Sequence, residues 1–458
     1  MPKRPSPVQS GEQPAADAIS AVSVAGYKSF YREQWAEMRP LTVLAGDNSA
    51  GKTSFLQPLL LWKQTLEASF DPGPLYLGGP HVQFSAFEQM ISQPERRPAI
   101  HEIEMGARLG TDDWVAVRYA KEEDGEIVIR EMRRTRHGRR QVLRPGMSPA
   151  KLRALLKADA TFGEFARAFR GRLAVAEDRC FLGVDLLGGP GSTPAEAEQN
   201  PFFHPLYPGR HARALQQIIH LSGHRGHPAR SYPVLAATAA AKGVYPGAFE
   251  LYLASVVLHW QRQRDERLEQ LGAAVRRLGL TSRVAALPID DHQVELRVGR
   301  TLGAAKGPAR DLVSLADVGY GVSQVLPVLV ALLVARPGQL VYVEQPELHL
   351  HPRARLALAE VMAEAALRGV RVVAETHSLL VLLAVQTLVA EGRVPPELVQ
   401  LHWFERDARG ETSIRSADLD RTGAFGPDWP TDLGLVAMRA DHRFLDAAEA
   451  ASRDWRTK

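Results

Sequence analysis

The residues Gly46-Asp47-Asn48-Ser49-Ala50-Gly51-Lys52-Thr53-Ser54 carry the Gly-x-x-x-x-Gly-Lys-Thr spacing of a Walker A loop. Glycines at those positions let the backbone curl with its N–H groups pointing inward, and a following helix offers its positive end to phosphate. Lys52 then reaches the outer phosphates of a nucleoside triphosphate, and the Thr53 hydroxyl is a ligand for Mg²⁺. The apolar run from Leu41 to Ala45 predicts a buried strand before the loop, and Phe55–Thr65 predicts a helix after it.

Three further segments supply what such a loop needs. Leu340-Val-Tyr-Val-Glu344-Gln345-Pro346-Glu347 is an apolar strand ending in acids, the Walker B pattern. The acid at the tip, Glu344, holds Mg²⁺ through water, and the next polar position, Gln345, orients the attacking water. Gly319, Gly321 and Ser323 precede the apolar run Val325–Ala335, a second phosphate-facing helix start. His377 falls just past the apolar strand Val370–Ala374, with Glu375 and Ser378 beside it either ordering water or closing the next helix start. His349 and His351 read as packing in a loop rather than as metal ligands. The histidines 204, 211, 220, 224 and 227 are too irregularly spaced for a zinc site.

The elements that must position these groups follow from periodicity. Ala21–Ser29 reads as a first strand, and the Gly- and Pro-rich stretch Asp71–Pro80 ends the first unit. Alternation from Ile100 to Leu143 predicts an antiparallel meander, and it returns at Val284–Val298. The stretch 148–280 reads as a helical insertion, with Ala248–Leu278 as a long helix forming an arm or lid. Strands and helices then alternate through Leu340–Val343, Arg353–Leu367 and Val370–Ala374. The fold class is α/β with a mostly parallel core sheet, whose ligands bind at the carboxyl ends of the strands. The domain reading is a disordered leader (1–19), a first ATPase lobe with the antiparallel β subdomain (20–147), the helical insertion (148–280), a second lobe (281–435) and a tail (436–458).

A net charge of +4 with a pI near 9.1 permits an anionic partner without demanding one. Cys180 is the only cysteine, which excludes an intramolecular disulfide and fits a cytoplasmic location. The apolar runs Val325–Ala335 and Leu379–Val385 fall short of the roughly 20 residues a membrane helix needs. Arg130, Arg133, Arg134, Arg136, Arg139 and Arg140 form the densest basic run, either a solvated β-ribbon or a contact to a nucleic-acid backbone.

The order Walker A, Gly-rich signature, Walker B with Leu348-His349-Leu350-His351-Pro352, then Thr376-His377-Ser378 resembles the ABC-type ATPases of the SMC/RecF/OLD group. Gly26-Tyr-Lys-Ser-Phe30, Glu344–Pro352 and the stretch Asp420–Pro430 narrow the likeness to bacterial AAA-family ATPases of phage-defence islands. The resemblance implies ATP and Mg²⁺ sandwiched between two heads of a homodimer or higher oligomer, with output to a separate effector or to nucleic acid. Gly319, Gly321 and Ser323 would face the γ-phosphate of the other copy, and His377 would be the switch histidine. A RecF-like repair ATPase stimulated by DNA is the alternative; an OLD-type nuclease is disfavoured, because Asp418-Leu-Asp420 is an isolated match to a Toprim pair. The chain departs from the group at two places. The glutamine that watches Mg²⁺ from the first lobe is either Gln83 or Gln89. Gln345 stands where the group usually has a glutamate, and an amide cannot accept a proton from water, so Glu347 takes over or turnover is slow. Slow turnover is the preferred reading, so Gln345→Glu should accelerate single-turnover hydrolysis. A variant no faster than the wild type would remove that reading.

Overall fold

The protein is seen in a computed structural model that describes residues 17–94, 99–136, 138–159, 161–169, 171–187, 206–235, 243–300 and 311–426, with Arg443 and Leu445 singly. Most of the leader, His204 and the Trp429-Pro430 stretch lie outside the described residues, as does the tail apart from those two residues.

The chain opens with β1 (Ile19–Ala25), β2 (Gln34–Glu37) and β3 (Leu41–Gly46), the last entering the phosphate loop. The expected meander follows as β4 (Glu102–Leu109), β5 (Asp113–Lys121), β6 (Ile127–Arg136) and β7 (Arg139–Leu143). With β1 and β2 these form a six-stranded sheet of order β2-β1-β4-β5-β6-β7, antiparallel throughout. Next come the hairpin β8 (Arg172–Asp178) and β9 (Phe181–Leu187), then β10 (Ile219–Leu221) and β11 (Tyr232–Pro233). β12 (Val284–Pro288), β13 (Gln293–Gly299) and β14 (Leu312–Ser314) make a small antiparallel sheet with β11. The remaining strands are β15 (Leu340–Glu344), β16 (Arg371–Glu375), β17 (Val399–Arg406) and β18 (Thr412–Ala417).

The core sheet has the order β10-β15-β16-β3-β17-β18, parallel except for the edge strand β18. All six residues of β3 are buried, as a parallel strand covered on both faces requires. β16 lies between β3 and β15, pairing Glu375 with Leu44 on one side and with Glu344 on the other. The helix Lys52–Glu67 is buried around most of its circumference. One side packs on Leu44, Tyr342 and Val373 of the core sheet, and the other on Val22, Val24, Met105 and Val117 of the antiparallel sheet. A helix apolar all round belongs between two layers, and each such Leu or Phe contributes roughly 1.5–3 kcal/mol by burial. Trp62 Nε1 donates to the Tyr119 hydroxyl at 2.7 Å, and that hydroxyl donates to Cys180 O at 2.6 Å, so the second layer is also tied by polar contacts.

The long helix expected over Ala248–Leu278 is instead a 3₁₀ turn (Phe249–Tyr252) and two helices, Leu253–Gln263 and Glu266–Arg277. The break is at Arg264, in the left-handed region at φ 53°, and Asp265 caps the second helix by accepting from Arg267 N at 2.9 Å. Arg264 and Asp265 form the turn between them. Both helices bury apolar stripes, Val256, Val257 and Trp260 in one and Leu271 and Val275 in the other, against the core. They lie on the body of the molecule rather than projecting from it. The stretch read as helical also contributes β10 to the core sheet. Among the described residues no helix is long and apolar enough to cross a membrane.

Two imidazoles are locked inside this framework. His402 bonds Ser416 Oγ at 2.8 Å and Glu37 O at 2.7 Å, and His211 bonds Asp113 O at 3.0 Å. Burial, above all, lowers each from the usual 6.5 to about 4. Between those values the unfolded chain binds more protons than the folded one, so stability falls as pH drops from 6.5 toward 4. The slope is at most about 1.4 kcal/mol per pH unit for each histidine. Urea midpoints measured at pH 7 and pH 5 should separate more in the wild type than in His402→Gln; equal separations would contradict the assignment.

Candidate nucleotide-binding site

At the carboxyl end of β3 the loop encloses one side of a cavity of ≈ 700 Å³, lined by Asn48 to Ser54 and, opposite, by Gln345, Glu375 and His377. Ser49 and Gly51 have positive φ, 60° and 99°, which turns successive N–H groups the same way. A side chain at Gly51 would meet Thr412 Oγ1 at 3.0 Å and Ser29 Oγ at 3.2 Å. Thr412 Oγ1 itself lies 2.7 Å from Ser29 Oγ and 2.9 Å from Ala50 O, so β18 clamps the loop from outside. Lys52 Nζ folds back onto Gly46 O (3.0 Å) and Asp47 O (2.7 Å). Burial lowers its pKa, against the pull of Glu375 and Asp47.

The acids are arranged in a way spacing could not give. Both carboxylate oxygens of Glu375 lie 2.8 Å from Thr53 Oγ1, and Tyr342 OH donates to Oε2 at 3.1 Å. Burial first, and then the charge of Glu344, push Glu375 above the ordinary carboxyl range, although Thr53, Lys52 and Tyr342 oppose this. Glu344 turns the other way: Oε1 lies 3.0 Å from His220 Nε2 and Oε2 accepts from Gly223 N at 2.9 Å. Burial would raise its pKa, but His220, Gly223 and Arg225 together hold it below the ordinary range. Hard oxygen donors grouped this way, a hydroxyl with adjacent carboxylates, suit Mg²⁺.

Gln345, at φ 45°, lines the cavity, while its N–H bonds Glu375 O at 2.8 Å. Glu347 Oε1 accepts from Thr376 Oγ1 (2.6 Å) and His377 N (3.1 Å), fixing the turn that carries the histidine, and its buried Oε2 has no partner. His377 lines the cavity and is exposed; partial desolvation of its ring by neighbouring atoms and then the charge of Lys52 lower its pKa.

Gly319, Gly321 and Ser323 do not meet the loop. Gly319 is the N-cap of the helix Tyr320–Val334 and lines a separate cavity of ≈ 760 Å³ with Arg230, Arg297 and Asp317. Ser323 is buried and bonds Tyr320 O at 3.2 Å, and Gly321 packs near His349 O. The loop 222–230 spans the two regions. Arg225 donates to Glu344 O (3.0 Å) and Gln345 O (2.9 Å), Gln324 Nε2 donates to Gly226 O (2.8 Å), and Arg230 pairs with Asp317.

Gln83 and Gln89 are both away from the cavity, and Gln89 bonds Ser85 in its own turn. Gln93 lines the cavity instead, four residues further on, with no spacing signal to mark it. Lys28, Ser29, Tyr31 and Arg406 complete the wall; of these Lys28 and Ser29 lay in a quoted motif. Among the histidines, His220 serves Glu344, His227 lies 2.9 Å from Tyr320 OH, His211 is buried elsewhere and His351 caps the helix Pro352–Leu367. In the arginine run, Arg134 makes a bidentate pair with buried Asp113, where Arg136 also sits, and Arg133 pairs with Glu104. Arg139 donates to Ala158 O at 2.6 Å, and Arg140 is exposed near the hairpin end.

Residues 237–384, which hold the signature helix, both strand tips and His377, match the family described as "AAA domain, putative AbiEii toxin, Type IV TA system". The chain is also similar to an SMC head bound to the C-terminal winged-helix domain of ScpA (10% identity, TM-score 0.46, covering 88% of this chain and 98% of that one). It is similar to the SMC head domain of Thermotoga maritima (11%, 0.38, 87% and 98%). A third likeness is to the Smc head with an extended coiled coil bound to the C-terminal domain of ScpA derived from Pyrococcus furiosus (9%, 0.46, 88% and 96%). Scores this low leave the strand order and the phosphate loop to define the fold. No curated protein matches the chain. The strand order and the Walker A cradle give this chain a P-loop nucleotide-binding fold, and residues 237–384 carry its similarity to the AAA family.

Gln93→Ala should weaken binding of a fluorescent ATP analogue by about 5-fold, the equivalent of one hydrogen bond of about 1 kcal/mol. Gln83→Ala and Gln89→Ala should leave it unchanged. Equilibrium titration checks this, and the opposite pattern would return the role to the earlier pair.

Proposed function

We propose that this protein binds ATP with Mg²⁺ in the Walker A cradle and dimerises around it. Slow hydrolysis would then gate a separate effector in the cytoplasm, in anti-phage defence. Gly46 and Asn48 to Ser54 hold the phosphates, Thr53 serves the metal together with a strand-tip carboxylate, Gln345 and Glu347 order the hydrolytic region, and His377 meets the γ-phosphate. The observation that carries the reading is the separation of the signature helix start from the phosphate loop. Gly319 lines its own cavity, so a site complete in both parts calls for a second copy. Slow turnover is supported by the amide of Gln345 at the cavity wall and by the engagement of Glu347 with Thr376 and His377. Carboxylates beside Arg133, Arg134 and Arg136 reduce the charge available to a phosphate backbone, which favours effector gating over a DNA-stimulated ATPase.

Light scattering of the full chain with ATP and Mg²⁺ should report twice the protomer mass, and Lys52→Ala should stay at the protomer mass. A wild-type protein that retains ATP yet remains a single protomer would overturn the dimer.

A further inference from the structure

Two carboxylates reach the end of the core sheet side by side, and their hydrogen bonds differ in kind. The Walker B acid, Glu344, has both oxygens engaged by donors on its far side, His220 Nε2 at 3.0 Å and Gly223 N at 2.9 Å. His220 is itself held in place, its ring stacked on Tyr342 at 5.2 Å and its Nδ1 3.2 Å from Nδ1 of His81. Glu344 also does not line the phosphate cavity. Glu375 does line it, is 3% exposed, and is its one lining carboxylate among the described residues. Both its oxygens lie 2.8 Å from Thr53 Oγ1.

A hydroxyl that ligates a cation through a lone pair must give its proton to an acceptor, and at Thr53 that acceptor is Glu375. The cause is topological. β16 is inserted between β3 and β15, so its tip stands one strand spacing from the loop and the tip of β15 stands two.

We propose that Glu375, not Glu344, is the carboxylate that secures Mg²⁺ at Thr53, and that Glu344 is a positioning residue. Through His220 and Gly223, and through the Arg225 bonds to its own carbonyl and that of Gln345, Glu344 fixes the turn bearing Gln345. This rests on the proposed ATP binding and reverses only the division of labour between the two acids.

The test compares full-length wild type, Glu375→Gln, Glu375→Asp, Glu344→Gln and Lys52→Ala. Binding of a fluorescent ATP analogue is titrated in Mg²⁺ and in EDTA, and Mn²⁺ binding to the nucleotide-loaded protein is followed by electron paramagnetic resonance. The expected result is that Glu375→Gln loses metal affinity by about 10–100-fold, the range seen when a carboxylate supporting a metal ligand is removed. Glu375→Asp should recover part of the loss, and Glu344→Gln should bind Mn²⁺ within a few-fold of wild type while hydrolysing more slowly. Loss of metal affinity in Glu344→Gln with retention in Glu375→Gln overturns the proposal, as does equal loss in both. If the wild type binds no nucleotide in either condition, the ATP reading fails first, and the division of labour fails with it. Lys52→Ala, which should lose nucleotide while leaving both carboxylates in place, marks that baseline.

Discussion

Strand β16 is hydrogen-bonded to β3 on one side and to β15 on the other, and the polar contacts at the nucleotide end follow from that placement. It brings Glu375 onto Thr53, sets Thr376 and His377 against Glu347, and pushes Glu344 outward to His220. Parallel pairing keeps the tips level, so the acids of β15 and β16 share one face of the sheet. Burial first, and then the charge of the half-buried Glu344 beside it, raise the proton affinity of Glu375. A cation held near Thr53 would relieve the repulsion between the two.

The same end of the molecule is stiffened by packing. The helix that starts at Lys52 runs between two six-stranded sheets, so the phosphate loop is held by the helix at one end and by β3 at the other. Thr412 and Ser29 brace the tip of the loop. Such bracing keeps the N–H groups aligned without the nucleotide, which lowers the ordering cost of binding. The signature helix is tied to the Walker B turn through Arg225 and Gln324, both anchored in the loop 222–230.

Legibility varied with the range of the interaction. The Walker A loop, the meander and the hairpin Val284–Val298 were readable because their periodicity and glycines act within a few residues. The helix expected over Ala248–Leu278 was not readable as two, since a charged stretch suits both a solvated helix face and a turn. The decision came from Arg264 in the left-handed region and from core packing on both sides. Gln93 was missed because a glutamine carries no local pattern, and Arg406 because it joins the cavity from the end of β17, far along the chain. The arginine run looked free in the sequence, since its partners Glu104 and Asp113 lie on neighbouring strands.

The sequence by itself determined that a phosphate-binding loop is present, that acids and a histidine end apolar strands, and that the fold is α/β. These depend on residue type and local spacing. Only the tertiary structure decided which acid meets Thr53, which glutamine meets the cavity, and that the signature glycines face away from the loop of their own chain. Each of those depends on strand order and register, and strands adjacent in the sheet, such as β3 and β16, are separated by most of the chain.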